Sequence, residues 1–184
     1  MKEDHRTPEE MVVYTRTGDG GKTNLYDTTN VYKDEPRVEA YGTIDELNSF
    51  IGLAKHYITD AKTTSLLHEI QRKLFDVGAE LATVDLSILK TTIQQEDVDF
   101  LEDTIDDYLK TFETPSYFII PGDNKASAHL HICRTVCRRA ERLMVPLYKH
   151  GEISDELLKY VNRLSDLFYA LSRFVEENYE IVEF

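Results

Sequence analysis

Tryptophan is absent from this chain of 184 residues, and cysteine occurs only twice. Cys133 and Cys137 lie four residues apart within a helical pattern, so they form neither a CxxC pair nor a set of zinc ligands. We therefore predict two small buried thiols in a reducing cytosol rather than a redox or metal site. The bulky apolar volume comes instead from 11 tyrosines and 8 phenylalanines.

Basic residues are scarce as well, since 21 lysines and arginines stand against 34 aspartates and glutamates, for a formal net charge of −13. This balance argues against nucleic acid or an anionic membrane as a partner, because both require a basic face. No apolar run approaches the roughly 18 residues of a membrane span, and residues 1–10 lack the apolar centre of a signal peptide. We expect a cytoplasmic protein, in which a local basic cluster can still bind a small anion.

The length of the chain suits one domain. We predict a mobile tail over residues 1–10 and a single domain over residues 11–184. Residues 11–35 are rich in glycine, threonine, aspartate and asparagine and show no helical period. Irregular segments of this length in compact domains are often functional.

From Pro36 onward, apolar residues recur at intervals of three and four, which is typical of amphipathic helices. Five helices and no clear strand are predicted; the first starts at Pro36 and the others cover 62–83, 95–112, 124–149 and 154–178. This pattern predicts an all-α fold, a five-helix bundle with a ferritin-like up-down arrangement. Pro146 is expected to kink or end the fourth helix, because proline removes a helical hydrogen bond.

The stretch YTRTGDGGKTN, residues 14–24, combines glycines with threonine, lysine and arginine donors. Glycines let backbone N–H groups approach a phosphate, so this stretch is a candidate anion-binding loop. It is not a P-loop, because Arg16 stands where that motif needs its first glycine and no strand-then-helix pattern surrounds it. The alternative is a tight hairpin turn that uses glycine for positive φ.

The fourth helix carries a second basic feature. Arg134, Arg138 and Arg142 are spaced four residues apart, so they line one ridge, and Arg139 lies beside it. Guanidinium groups suit phosphate oxygens in bidentate geometry. The alternative is a solvated helix face that forms ion pairs with its neighbours.

Two polar positions interrupt apolar stripes. Asn162 opens the sequence NRLSD in the last helix, where it is predicted either to bind adenine or ribose or to form an interhelical hydrogen bond. Asp45 follows Ile44 in the first helix and is expected to face a packed surface. A buried carboxylate needs a cationic partner, and Arg134 is the candidate.

The six histidines do not fit a di-iron centre. Helix bundles that bind two irons use Glu-x-x-His on two helices, and none of these histidines has a glutamate three residues before it. An Asp-x-His-x-x-Gly segment, which in some corrinoid proteins supplies the lower ligand of cobalt, is also absent from the sequence.

Taken together, six segments resemble the PduO-type ATP:cob(I)alamin adenosyltransferases. They occur in the family's order and span about residues 14–174, and six in order are far more specific than any one alone. The segments are YTRTGDGG from Tyr14, RVEAYGTIDELN from Arg37, IQRKLFDVG from Ile70, FIIPG from Phe118, RTVCRRAER from Arg134 and NRLSD from Asn162.

The resemblance implies a five-helix bundle that assembles as a homotrimer with active sites between subunits. It assigns ATP binding to the Gly-rich loop and to part of the fourth and fifth helices: Thr15, Arg16, Thr17, Gly18, Asp19, Gly20, Gly21, Lys22, Thr23, Lys33, Arg138, Arg139, Glu141, Arg142 and Asn162. It also implies that Asp45 pairs with Arg134 across the interface and that Phe118 presses on the lower face of the corrin. Catalytic roles fall by the same resemblance to Arg138, Phe118, Asp45 and Arg134.

The activity implied is transfer of the 5′-adenosyl group of ATP to the cobalt of cob(I)alamin or a related corrinoid, giving adenosylcobalamin and triphosphate. Mg²⁺ would be held mainly by the ATP phosphates. A reductase acting on the Co(II) corrinoid and an adenosylcobalamin-dependent acceptor enzyme are possible partners. Two alternatives remain: a nucleotide sensor without corrinoid turnover, and a purely structural bundle whose arginine ridge is a protein interface.

Three positions depart from the family's usual pattern. Asp123 stands where glycine is common, His129 where a small residue is common, and Lys22 where threonine is common. We expect Lys22 to suit a triphosphate and His129 to have a surface or interface role rather than to affect the lower ligand.

Overall fold

Five helices dominate the computed structural model, which describes residues 14, 16–28, 30–113 and 117–182. They are α1 (Pro36–Lys55), α2 (Ala61–Leu81), α3 (Gln95–Leu109), α4 (Lys125–Lys149) and α5 (Asp155–Phe174). The predicted all-α five-helix bundle is therefore confirmed. The predicted tail, residues 1–10, lies outside the described residues. Within the described ranges, no helix has the length and apolar content needed to cross a membrane.

Side-chain caps fix where three of the helices begin. Asp60 accepts a hydrogen bond from the Thr63 N–H, Asn124 from the Ser127 N–H, and Ser154 from the Leu157 N–H. Such caps satisfy backbone donors that have no partner within the first turn of a helix.

Pro146 does not end α4, although the sequence allowed for this outcome. The helix continues to Lys149 and is followed by Gly151, whose φ of +71° marks the left-handed conformation that favours glycine. Pro146 is exposed. Water can therefore reach the helix carbonyl that proline leaves without a backbone donor.

Neighbouring helices in the bundle run in the order α2, α1, α4, α5, α3. Helix α1 is antiparallel to α4, because Tyr57 just after α1 stacks on His129 near the start of α4, whereas Glu46 pairs with Arg139 further along α4. The apolar faces meet in one core. Its largest fully buried side chains include Ile44, Leu47, Leu67, Leu101, Leu130, Met144 and Phe168.

Two small antiparallel sheets, which the sequence did not predict, lie outside the bundle. Strand β1 (Lys22–Thr23) pairs with β2 (Val31–Tyr32), and β3 (Ile119–Ile120) pairs with β4 (Glu180–Ile181). The first sheet closes the Gly-rich loop. The second joins the segment before α4 to the segment after α5, so it connects parts of the chain that are far apart in sequence.

One buried arginine ties three segments at the same end of the bundle. Arg37 donates to the carbonyl oxygens of Leu81 (3.1 Å), Thr83 (3.3 Å) and Glu152 (2.8 Å), and it forms an ion pair with the Glu152 side chain. We expect Arg37→Met to lower the free energy of unfolding by about 2–4 kcal/mol, because buried carbonyls lose charged donors. Chemical denaturation measures this, with Lys159→Met, an exposed change on α5, as control. Equal stability of the two variants would contradict the role of Arg37.

Candidate active site

The Gly-rich loop is a tight hairpin. The Asp19 N–H donates to the Arg16 carbonyl (3.4 Å), and the Gly21 N–H donates to the Gly18 carbonyl (3.2 Å). Gly21 has a φ of +78° and its carbonyl accepts from the Lys33 N–H at 3.0 Å. The hairpin alternative is thus present.

Cationic side chains gather around this hairpin. The Lys33 ammonium lies 3.2 Å from the point that a Cβ on Gly18 would occupy, so it sits directly against the loop backbone. The Lys22 ammonium is 4.7 Å from the centre of the Tyr32 ring. Arg16 adopts a φ of +60° and places its guanidinium 5.4 Å from the Tyr14 ring. The loop therefore carries local positive charge within an acidic chain, whereas the predicted loop residue Thr15 lies outside the described residues.

The loop is anchored to the end of α2. The Tyr26 N–H donates to the Ala82 carbonyl (2.8 Å), and the Asp27 carboxylate accepts from the N–H groups of Val84 and Asp85. These backbone donors hold the pKa of Asp27 below its usual value, the Asp85 N–H contributing most. Because Arg37 joins the same end of α2 to Glu152 after α4, the loop lies toward the end of the bundle where α4 terminates.

The arginine ridge on α4 points outward. Arg138, Arg139 and Arg142 are exposed, and Arg139 forms an ion pair with Glu46 of α1. Glu141 lies between them and accepts a hydrogen bond from the Asn162 side-chain amide of α5 at 2.8 Å. The structure therefore brings together Glu141 and Asn162, and the interhelical hydrogen bond that was the alternative for Asn162 exists.

Phe118 lines a cavity of about 600 Å³ beside the first half of α4, whereas Arg138 and Arg142 lie on the second half of that helix. Its side chain is 74% exposed, which is unusual for phenylalanine and typical of a binding surface. Arg134 is half-buried at this cavity, and its Nε atom has no hydrogen-bond partner among the described residues. The other lining residues are Tyr117, Ile119, Pro121, His131 and Tyr169.

His131 is a cavity residue that sequence reasoning missed. It is buried, and burial lowers the pKa of its imidazole; the Arg134 guanidinium lowers it further, and the Glu176 carboxylate opposes both effects. A neutral imidazole is the result near pH 7. The signal was its spacing, since Ser127, His131 and Arg134 fall on one face of α4 at intervals of four and three.

Asp45 is exposed, so the expectation that it faces a packed surface within the chain is wrong. It lies next to Ile44 in sequence but about 100° further round the helix. It lines a cleft between α1 and α2 together with Asn48, Gln71 and Phe75, whereas Arg134 lines the Phe118 cavity. The pairing of Asp45 with Arg134 of another subunit stays a prediction.

The departures from the family pattern are also accounted for locally. His129 stacks on Tyr57 with ring centres 4.8 Å apart, whereas the imidazole that lines the Phe118 cavity belongs to His131. Asp123 accepts hydrogen bonds from the N–H groups of Glu177 and Asn178, both at 3.3 Å.

Both cysteines are buried and free, as predicted, and burial raises the pKa of the Cys133 thiol to about 12.

Comparison with known proteins gives a consistent family. The family model described as cobalamin adenosyltransferase matches residues 13–175. A corrinoid adenosyltransferase of Bacillus subtilis is 48% identical over 172 residues, covering 90% of this chain and 86% of that protein. One of Citrobacter freundii is 42% identical over 166 residues, covering 89% and 94%.

Solved structures agree with the sequence relatives. A variant of the PduO-type ATP:corrinoid adenosyltransferase of Lactobacillus reuteri, complexed with cobalamin and ATP, superposes with a TM-score of 0.81 at 39% identity. The superposition covers 89% of this chain and 92% of the Lactobacillus reuteri chain. A second variant, complexed with ATP, gives a TM-score of 0.84 at 36% identity and covers 93% of this chain and 100% of that one. The chain belongs to the cobalamin adenosyltransferase family.

Proposed function

We propose that this chain transfers the 5′-adenosyl group of ATP to the cobalt of a reduced corrinoid, releasing triphosphate. The observation that carries the proposal is the arrangement along helix α4 in a chain of this family. The first half of α4 lines an apolar cavity with Phe118, and the second half carries a row of exposed arginines. The anionic phosphates of ATP and the apolar face of a corrin can therefore bind to adjacent surfaces of the same helix. The ATP-binding residues are those that the family resemblance named.

The reaction needs alignment and charge stabilisation rather than proton transfer. Co(I) attacks the 5′ carbon of ATP with its electron pair, the C5′–O bond breaks, and that pair leaves on the triphosphate. Holding cobalt and C5′ in line contributes up to about 7–11 kcal/mol. Charge that grows on the leaving group is stabilised by the loop N–H groups and by Lys22, Lys33, Arg138 and Arg142. Mg²⁺ held by the ATP phosphates would supply further neutralisation of the same charge.

The adenosine end of ATP is assigned to the contact between α4 and α5. The Glu141 carboxylate and the Asn162 amide are already bonded to each other, so each is oriented before a nucleotide arrives. Glu46 holds Arg139 in the same way. The two contacts hold Glu141, Asn162 and Arg139 in place, which lowers the entropy lost on binding.

Phe118 prepares the cobalt. Co(II) resists reduction while it keeps an axial ligand, and an apolar ring on the lower corrin face displaces that ligand and excludes water. The exposed Phe118 ring beside Tyr117 and Ile120 offers such an apolar surface.

Assembly as a homotrimer with sites between subunits is part of the proposal. The face around Asp45 exposes Phe75 to 70%, and a large exposed apolar side chain on a cleft is typical of an interface. The Nε atom of Arg134, without a partner in the described part of the chain, suits a carboxylate from another subunit.

The Asp45–Arg134 contact can be tested by a double-mutant cycle. We expect Asp45→Ala and Arg134→Ala to show a coupling energy of about 1–3 kcal/mol in subunit association, because the two charges meet only in the assembly. Analytical ultracentrifugation of the four proteins measures it. Glu46→Ala is the matched control, since Glu46 pairs with Arg139 of its own chain and should show no coupling to Arg134. Additive effects of Asp45 and Arg134 would remove the pairing.

One assay tests the activity. Purified protein is mixed with ATP, Mg²⁺ and chemically reduced cobalamin, and the absorbance of a light-sensitive Co–C product is followed with release of triphosphate. The proposal predicts both products. A protein that binds ATP without forming a Co–C bond would be a nucleotide sensor, and one that binds neither ligand would be a structural bundle.

The proposal includes the cellular setting. We propose a cytoplasmic enzyme, formed by one domain over residues 11–184, that receives electrons from a reductase able to reduce Co(II) and passes its product to an adenosylcobalamin-dependent enzyme. The reductase must have a low reduction potential and is needed because each adenosylation consumes one Co(I) and does not itself reduce Co(II).

A further inference from the structure

The strand that follows Phe118 is held by the end of the chain. Ile119 and Ile120 form β3, which pairs with β4 (Glu180–Ile181). In addition, the Val182 N–H donates to the carbonyl of Phe118 itself at 2.9 Å. The position of the Phe118 backbone therefore depends on where residues 180–182 lie.

The segment between α5 and β4 is in turn fixed to the start of α4. The Asn124 side-chain amide donates to the Val175 carbonyl at 2.7 Å. The Asp123 carboxylate accepts from two successive backbone N–H groups, those of Glu177 and Asn178. Asp123 and Asn124 lie just after Pro121–Gly122. The same short stretch of chain therefore carries Phe118 and forms the hydrogen bonds to the returning segment, which is the segment between α5 and β4.

A buried charge lies at the centre of this connection. The Glu176 side chain is only 2% exposed; it accepts a hydrogen bond from the Ser127 hydroxyl of α4 at 2.5 Å and forms an ion pair with Arg173 of α5, which is 4% exposed. A carboxylate at this depth is stable only with such partners, and losing one is costly. Glu176 thus locks the segment to both helices at once.

The same cluster reaches the Phe118 cavity and β4. The Arg173 guanidinium lies 4.7 Å from the ring centre of Tyr179, the residue directly before β4. The Glu176 carboxylate lies 3.5 Å from Nε2 of His131, and His131 lines the cavity with Phe118.

We propose that Glu176 is a positioning residue for Phe118: its buried carboxylate, held by Ser127 and Arg173, fixes the returning segment whose strand pairs with the strand after Phe118. The inference rests on the proposed function, in which Phe118 must meet the lower face of the corrin. Displacing an axial ligand requires the ring at a defined height, and errors of about 1 Å in such placements are costly. Glu176 acts through Phe118 and touches no reacting atom.

The test compares turnover started from Co(II) with an added reductant and turnover started from chemically reduced Co(I). Glu176→Gln keeps the shape and an acceptor for Ser127 but removes the charge that Arg173 needs. We expect the turnover started from Co(II), divided by the turnover started from Co(I), to fall about tenfold or more. The kcat from Co(I) and the KM for ATP should stay within about twofold of the parent. Ser127→Ala should lower the ratio in the same direction by about threefold, because it removes one hydrogen bond.

Glu177→Gln is the matched control, since Glu177 is exposed and contributes its backbone N–H, which the substitution keeps. The absorbance of bound Co(II) corrinoid gives an independent readout, because loss of the lower ligand should be incomplete in Glu176→Gln. An unchanged ratio in Glu176→Gln, or an equal fall of both turnovers, overturns the inference while the parent enzyme remains active. If Glu176→Gln does not fold, Ser127→Ala decides. A parent protein that forms no Co–C product removes the proposed function and this inference together.

Discussion

Replacing Phe118 by alanine is expected to reduce turnover from Co(II) corrinoid about 100-fold, while turnover from chemically reduced Co(I) stays within about threefold. The ring is 74% exposed at the rim of the cavity it shares with Arg134, so its removal should leave the core intact. What is lost is apolar bulk on the lower corrin face, which allows water or another axial ligand to return to Co(II). Binding of ATP should be unaffected, because the residues proposed to bind the nucleotide lie further along α4, on α5 and in the Gly-rich loop.

The measurement is a pair of progress curves, one with a Co(II) corrinoid and a reductant and one with the corrinoid already reduced. Phe118→Leu should keep part of the effect, since leucine retains apolar volume. Ile88→Ala is the control: Ile88 is an exposed apolar residue after α2 that does not line the Phe118 cavity. Full Co(II) turnover by Phe118→Ala would show that the ring has no part in preparing the cobalt.

The helices were predictable because their signal is local. Apolar spacing located α1, α2 and α4 within one residue of their observed starts, since each helix buries one stripe against its neighbours. Predicted ends were less accurate, as for α5, which stops at Phe174 rather than at residue 178. Fraying of the last turn depends on tertiary contacts that periodicity does not report.

Long-range contacts were beyond the reach of the sequence. Strand β4 has only two residues and pairs with a strand about 60 positions earlier, and so short a segment carries no pattern of its own. The cluster around Glu176 escaped for a related reason: its members lie on α4, on α5 and after α5, and only the fold brings them together. Asp45 was misplaced because adjacency to Ile44 in sequence does not imply a shared helix face.

Under the proposed function, the arrangement of α4 lets one helix contact both substrates. Arg134 lies at the Phe118 cavity, and Arg142 is eight residues further along, a distance of about 12 Å at the rise of an α-helix. That span suits a ligand with a corrin-facing ribose at one end and phosphates at the other. Arg138 lies midway, so it is the ridge residue best placed for the bond that breaks.

Arg138→Ala is therefore expected to lower kcat about 100-fold with pre-reduced corrinoid, and to raise the Kd for ATP about tenfold. The larger effect on kcat follows because charge on the triphosphate oxygen grows as the C5′–O bond breaks, so the guanidinium is worth more in the transition state than in the bound state. Its side chain is exposed, and the substitution should leave the free energy of unfolding within about 0.5 kcal/mol of the parent.

Arg138→Lys separates charge from geometry. Lysine keeps the positive charge but lacks the planar fork, so we expect it to recover ATP affinity more fully than kcat. Lys149→Ala, which removes an exposed cation from the last turn of α4, is the control for a general change in charge. Steady-state kinetics with ATP as the varied substrate, together with equilibrium binding of ATP, distinguishes the two effects. If Arg138→Ala matched Lys149→Ala in both kcat and Kd, Arg138 would have no part in stabilising the bond-breaking step.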